Sequence, residues 1–279
     1  MSAVPSFSYL LPAVGLGPPP GYRVTYALPI ASIRDRLTTR SAHVQATHRL
    51  WRNGAEIVTR TAEIQFDGPR SSIQEWVITI DDDGKADWDG GTELSYWELE
   101  LAVASPGGFS TNQPAANYTL FSGPRRKTFF NDNAIKFGDP VTINQVRELG
   151  AWCAGYPCCG VDPDANADES IVLINPYHRP GLVNIELVGL PNIEKIRVEP
   201  MSARRVSIAR LLGPTPYAWR GQVFVTGRSR LIVFFAKHAL DDPSEMTTLE
   251  HPDLYRGEPT HEALTQRWRR WAGRQIMRS

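Results

Sequence analysis

Residues 43–66, HVQATHRLWRNGAEIVTRTAEIQF, carry the clearest structural signal in this chain of 279 residues. Residues 43–50 and 56–66 read as alternating runs, and Asn53-Gly54 lies between them. Alternation puts successive side chains on opposite faces of a strand, and Asn-Gly suits the two left-handed positions of a tight hairpin turn. The stretch therefore predicts a two-stranded antiparallel hairpin.

Further strand-like runs follow at short intervals. Residues 74–80 and 96–104 continue the pattern, and six runs recur at a spacing of about ten residues, which is typical of antiparallel sandwiches and barrels. These six runs are residues 171–174, 183–188, 193–198, 205–208, 222–225 and 231–236. Residues 153–170, rich in Pro, Gly and Asp, are expected to form a loop. One-sided burial is expected throughout, which leaves loops and rims for function.

We therefore predict an all-β chain with two antiparallel β-sandwich domains in tandem, Ig-like or jelly-roll-like, and a C-terminal amphipathic helix. The predicted parts are an N-terminal arm (1–21), a first sandwich (22–137), a second sandwich (138–242), and a polar linker with a basic helix (243–279). The 22 Gly and 22 Pro residues agree with many turns and few long helices.

Composition excludes some classes of function. Thirty Lys and Arg balance thirty Asp and Glu, so no global field attracts nucleic acid or anionic lipid. No apolar run reaches the roughly 18 residues of a membrane helix. The run Pro18-Pro19-Pro20, and the lack of Lys or Arg before Arg23, argue against a secretory signal, so we expect a cytoplasmic protein.

Four short motifs follow one another in the second half. They are Trp152 with Gly155-Tyr156-Pro157, ESIVLINP at 169–176, Ala203-Arg204-Arg205, and LIVFFAKHALD at 231–241. With them, residues 150–242 resemble the sensory rhodopsin transducer family, whose closing segment usually has Arg where Ala239 follows His238. The resemblance covers about a third of the chain. It implies a soluble β-sandwich in a ring-like tetramer, with a ligand-sensing or protein-binding role and no catalysis.

Aromatic and basic residues are the candidate binding groups. Exposed Trp and Tyr on a sandwich rim stack on sugar rings or anchor a protein partner, although core packing accounts for most aromatics. Trp88 and Trp152, in Gly/Asp-rich surroundings, are expected to be exposed. The full set of candidates is Trp88, Trp152, Tyr156, Tyr177, His178, Arg204, Arg205 and His238.

The sequence predicts no cofactor and no metal, although one loop has a suggestive spacing. Asp162, Asp164, Asn166 and Asp168 match alternate positions of a calcium loop, but Ala167 occupies the position that favours Gly and Leu173 replaces the final Glu. A solvated loop is therefore the favoured interpretation. The chain also has three cysteines, Cys153, Cys158 and Cys159. Partly buried thiols are favoured over metal or redox chemistry for them, and their role stays open.

Three functions stay open. The preferred one is a non-enzymatic, homo-oligomeric module that binds a small molecule or a protein. The second is an isomerase- or cyclase-type enzyme with a Trp/Tyr-lined cavity and Glu98, Glu100 or a His as acid and base; it predicts a cavity of at least ~300 Å³ with convergent polar groups. The third is a structural subunit of a larger assembly.

The predicted C-terminal helix, residues 261–277, combines an apolar stripe of Leu264, Trp268 and Trp271 with positive charge. Such a helix can contact a membrane surface or nucleic acid, but docking on its own sandwich or on a sister subunit is favoured. The arginines available for such contacts are Arg267, Arg269, Arg270 and Arg274.

Overall fold

A computed structural model shows that the chain is mostly antiparallel β-sheet, which confirms the predicted class. The structure describes residues 9–10, 13–16, 23–29, 41–67, 75–81, 93–104, 118–122, 129–131, 135–136, 152–227, 231–243 and 245–250. The chain forms two compact units. Unit 1 is Met1–Lys85 with Ser95–Asp139, and unit 2 is Ala86–Leu94 with Pro140–Ser279.

Unit 1 contains two antiparallel sheets. The strands are β1 (Tyr9–Leu10), β2 (Ala13–Leu16), β3 (Arg23–Pro29), β4 (Ser41–Arg52), β5 (Ala55–Asp67), β6 (Glu75–Asp81), β7 (Glu93–Ala104), β8 (Tyr118–Ser122), β9 (Phe129–Asn131) and β10 (Ile135–Lys136). In one sheet, β7 pairs with β1, β2 and β4, β2 pairs with β10, and β4 pairs with β5. The other sheet has the order β6-β3-β8-β9.

The predicted hairpin is confirmed as the β4–β5 pair. It runs from Ser41 opposite Asp67 to Arg52 opposite Ala55. The turn residues Asn53 and Gly54 have φ angles of 50° and 77°, the left-handed values that an Asn-Gly turn supplies at little cost. The sequence therefore specified the turn, whereas the register shifts by one residue at a β-bulge between Leu50, opposite Val58, and Trp51, opposite Glu56.

Unit 2 contains two sheets. The elements are β11 (Trp152–Val161), β12 (Ala167–Asn175), β13 (Gly181–Leu187), β14 (Ile193–Val198), β15 (Ser202–Ser207), α1 (Ile208–Leu212), β16 (Trp219–Gly227), β17 (Ile232–Ala239) and β18 (Met246–Glu250). One sheet has the order β11-β16-β13-β14. The other has the order β15-β12-β17-β18, with Glu93 and Leu94 of β7 paired to β15.

One apolar core joins the two sheets of unit 2. The β11-β16-β13-β14 sheet contributes residues such as Val161, Ile185 and Val225, and the other sheet contributes Leu173 and Phe235. All five are less than 2% exposed, so this core dominates the hydrophobic stabilisation of the unit. The strand ends and α1 border this core, and they carry the candidate site.

Two local expectations are wrong. The segment expected to be a loop, 153–170, contains most of β11 and the start of β12; β11 pairs with β16 along most of its length. One-sided burial also fails for β12, in which residues 168–175 are all buried. Val172 and Ile174 point away from the core residue Leu173 and are equally inaccessible. The continuous apolar run of β12 is typical of a strand covered on both faces.

Several predictions lie outside the described residues. They concern the C-terminal helix with its four arginines, most of the N-terminal arm, and Trp88. The domain limits at 22–137 and 138–242 also stay predictions. Within the described segments, no helix combines the length and hydropathy that a membrane crossing requires.

Candidate ligand-binding cavity

Unit 2 contains a cavity of about 640 Å³ that is lined by residues of β13, β14, β15 and α1. Its apolar wall includes Ile185, Leu187, Leu190, Ile193, Leu211 and Leu212. Ile185 and Leu187 belong to the core, and Leu190 and both α1 leucines pack against it. This volume lies within the range of small-molecule sites, roughly 300–1,000 Å³.

Three arginines line the same cavity: Arg204 and Arg205 from β15, and Arg210 from α1. Glu194 is the single carboxylate among the described lining residues. Three fixed positive charges thus face one negative charge, and arginine stays charged at all physiological pH values. The lining can therefore hold an anion next to an apolar surface.

Arg204 has an incompletely satisfied guanidinium group. Its Nη1 donates a hydrogen bond of 2.9 Å to the carbonyl oxygen of Arg197. Its Nε is buried and has no hydrogen-bond acceptor among the described residues. A buried donor without an acceptor costs free energy, so the folded state gains if an acceptor reaches this guanidinium.

Asp168 positions α1 and therefore the cavity wall. Its Oδ2 accepts a 2.6 Å hydrogen bond from Ser207 Oγ, and its Oδ1 accepts a 3.0 Å bond from the backbone N–H of Ala209. Ser207 is also the N-cap, because its Oγ accepts a bond from the backbone N–H of Arg210. Asp168 therefore fixes the first turn of the helix that carries Arg210.

The same contacts separate the four residues with calcium-loop spacing. Asp162 begins the tight turn between β11 and β12, where its Oδ1 accepts a bond from Ala165 N, while the side chain of Asn166 donates to Asp241. Asp164 is exposed and Asp168 is buried under α1. In the described part of the chain, no group of three or more His, Cys, Asp and Glu side chains is placed to hold a metal ion.

A buried Ser–His pair lies beside Asp168. Ser170 Oγ is 2.6 Å from His238 Nε2, and His238 Nδ1 is 2.8 Å from the carbonyl oxygen of Ala239. In a catalytic triad the carboxylate orients the ring nitrogen that faces away from the serine. Here Asp168 lies 3.9 Å from Nε2, on the serine side. The side chain of His238 has no exposed surface, so this geometry suits a structural network.

A second polar cluster lies along β11, β12, β17 and β18. Tyr156 stacks on Phe235 at 4.5 Å, and its hydroxyl donates to Glu250. Burial raises the pKa of Glu169, and the nearby positive charge of Lys237 partly offsets this. Burial also raises the pKa of the Cys159 thiol, helped by the negative charge of Glu169. Neither Glu169 nor Cys159 is among the described residues of the cavity.

Among the sequence candidates whose side chains the structure describes, Arg204 and Arg205 line the cavity. Tyr177 and His238 are buried and His178 is exposed. Tyr156 belongs to the second polar cluster. Trp152 lies in β11, and its side chain is outside the described set.

Sequence reasoning missed Arg210 and the leucines of α1. Residues 205–208 were expected to continue as a strand, yet α1 begins at Ile208. The available signal was Ser207, a residue type that favours the N-cap, followed by IARLL.

The alternative acid–base pair lies in unit 1. Glu98 is half-buried, and its Oε2 accepts a 3.1 Å hydrogen bond from Trp51 Nε1. The side chain of Glu100 is outside the described set. Glu98 is not among the described residues that line the cavity of unit 2.

Comparison of the chain with protein-family models and with curated proteins finds no match. The case for function therefore depends on the geometry of the cavity and its neighbours.

Proposed function

We propose that the chain is a non-enzymatic ligand-binding module built on antiparallel β-sandwiches, and that the cavity of unit 2 takes a small, partly apolar molecule. The observation that carries this proposal is a cavity of about 640 Å³ whose wall combines leucine and isoleucine side chains with three arginines. Small-molecule sites place polar groups that fix orientation beside apolar side chains.

The shared core supports the sandwich part of the proposal. Side chains of β13 and β16 in one sheet and of β12 and β17 in the other belong to the same apolar cluster. Two antiparallel sheets that bury one core between them correspond to sandwich architecture. A rigid scaffold of this kind holds the cavity walls in place before a ligand arrives.

The chemistry of the lining supports binding over catalysis. Its described residues include no His or Cys, and arginine cannot exchange a proton at neutral pH. Glu169, whose pKa is raised, belongs to the other polar cluster. Among its described groups, only Glu194 and Tyr217 can exchange a proton, so apolar contact and positive charge dominate the cavity.

Calorimetric titration of the full chain with 1-decanol tests the proposal, because this molecule has an apolar tail and no charge. We expect saturable binding that Leu212→Trp weakens at least tenfold, since a larger ring would occupy the cavity. The matched control is Leu182→Trp, at a 57% exposed position of β13 outside the described lining. Absence of binding, or equal effects of both substitutions, would contradict the proposal.

Self-association belongs to the same proposal. We infer a homo-oligomer from the resemblance of residues 150–242 to a family that forms tetramers. Light scattering on the full chain checks this, and a monomeric mass at all concentrations would contradict it.

A further inference from the structure

We propose that the ligand of this cavity is an aliphatic carboxylate, whose head group binds Arg204 and whose tail lies on the leucines of α1 and β13. This inference rests on the proposed function, because it names the chemical class of the molecule that the cavity takes. Three observations support it, one on the guanidinium, one on the charges and one on the apolar wall.

Within the described part of the chain, one hydrogen bond holds the guanidinium of Arg204. Nη1 is engaged with the carbonyl of Arg197, whereas the other edge of the group, formed by Nε and Nη2, includes the buried Nε that lacks an acceptor among the described residues. That edge binds a carboxylate through two parallel hydrogen bonds, which are stronger than bonds between neutral groups. A carboxylate oxygen would therefore satisfy an atom that the described chain leaves unsatisfied.

The surrounding charges favour an anion. Arg205 and Arg210 also line the cavity, and Glu194 is the only acidic group among its described residues. Ser207 and Asp168 fix the first turn of α1 and with it the backbone of Arg210, whose side chain is exposed. The excess of positive charge in the lining favours binding of a negative head group.

The apolar residues of the cavity lining favour a ligand that carries an aliphatic tail. Leu190, Leu211 and Leu212 are partly buried against the core, and Ile193 is 40% exposed. An inorganic anion would leave these side chains in water, whereas an aliphatic chain would cover them and gain hydrophobic free energy. The combination of one charged end and one apolar wall therefore matches an amphiphilic monocarboxylate.

Calorimetry with decanoate and 1-decanol, matched in chain length, tests the assignment at about pH 8, where the carboxyl is ionised. We expect decanoate to bind the full chain at least tenfold more tightly than decanol. Arg204→Gln should abolish this preference while decanol binding persists. Arg220→Gln is the matched control, because Arg220 is 79% exposed and lies near Asp162, away from the cavity lining.

Other outcomes separate the two proposals. Equal binding of both probes, blocked by Leu212→Trp, overturns the carboxylate assignment and leaves the binding function standing. Binding of neither probe overturns both. A decanoate preference that appears only in Glu93→Gln also overturns the assignment, because Glu93 is the register partner of Arg204 and would then be its acceptor. If Arg204→Gln fails to fold, Arg204→Lys, which keeps the charge but loses the two-donor edge, should reduce the preference.

Discussion

Ser170 Oγ lies 2.6 Å from Nε2 of His238, and neither side chain is reached by solvent. Because the carbonyl of Ala239 can only accept, the 2.8 Å contact identifies His238 Nδ1 as the protonated nitrogen. Nε2 of the neutral ring is then an acceptor, and Ser170 donates to it. Burial lowers the pKa of His238, and the positive charge of Arg205 acts in the same direction.

Ser170→Ala should therefore destabilise unit 2. The substitution leaves Nε2 of a buried histidine without a donor, which costs about 1–3 kcal/mol in the free energy of unfolding. Urea denaturation at neutral pH measures this change. Thr215→Ala, which deletes a hydroxyl at an exposed position, should have little effect, and equal losses in both variants would contradict the prediction.

Asn175→Asp should be more damaging. The buried Nδ2 of Asn175 lies 2.8–3.1 Å from the carbonyl oxygens of Arg179, Val198 and Glu199. A carboxylate in its place would face three acceptors without a proton to donate, at a cost on the order of 3 kcal/mol or more. Protonation at low pH should recover part of this loss. The exposed Asn192→Asp is the control, and similar stability of the two variants at about pH 8 would refute the argument.

Glu169→Gln is expected to raise the free energy of unfolding at about pH 8. Burial raises the pKa of Glu169, so ionisation costs the folded state more than the unfolded state. This penalty is complete above the folded pKa and vanishes below the unfolded value near 4.5, so the advantage of Gln should disappear in acid. Denaturation curves at both pH values test this. Exposed Glu194→Gln should show no such pattern, and a destabilised Glu169→Gln at about pH 8 would be the contrary result.

His48→Leu should make unit 1 less sensitive to acid. Burial, together with the positive charge of Arg60, its register partner on β5, lowers the pKa of His48 from 6.5 to about 4. The unfolded state gains a proton first, so stability is lost as pH falls from about 6.5 to about 4, by roughly 3 kcal/mol. Unfolding of the full chain across this range measures the loss. His178→Leu, at an exposed position, is the control; parallel curves for both variants would show that His48 is not the cause.

Cys158 and Cys159 should react at different rates. Cys158 is exposed, whereas Cys159 is buried and burial raises the pKa of its thiol. Because the thiolate is the reactive form, we expect iodoacetamide to modify Cys158 at least tenfold faster in the folded chain. Fragment mass spectrometry distinguishes the two positions. Reaction in urea should equalise the rates, and equal rates without urea would contradict the burial of Cys159.

Local chemistry explains what could be foreseen. The β4–β5 hairpin was predictable because Asn53 and Gly54 adopt left-handed φ angles within the turn itself. The strand β11 was not, since WCAGYPCCGV contains Gly, Pro and small residues that suggest a loop. It forms a strand because β16, more than fifty residues later, supplies its hydrogen-bond partners. Pairing between distant segments overrides weak local propensity.

In the candidate site, too, some features follow from local sequence and others from contacts between distant segments. Arg204 and Arg205 were recognisable as a basic step in the sequence, but Arg210 joins them only because Asp168, 41 residues before Ala209, binds the first turn of α1. His238 was expected to bind a ligand, and the structure places it in a buried network with Ser170. A cavity cannot be recognised from sequence, because the tertiary structure must first position the strands that enclose it. The same holds for a buried guanidinium nitrogen that lacks a hydrogen-bond acceptor among the described residues.

The order of residues alone established an antiparallel β protein and one hairpin turn, because alternation and turn chemistry act over only a few neighbouring residues. The three-dimensional packing established which faces are covered, why β12 is buried on both sides, and where arginines meet leucines at one cavity. Burial and cavity shape depend on contacts between segments far apart in the chain, and so they emerge only when the sheets of each unit assemble.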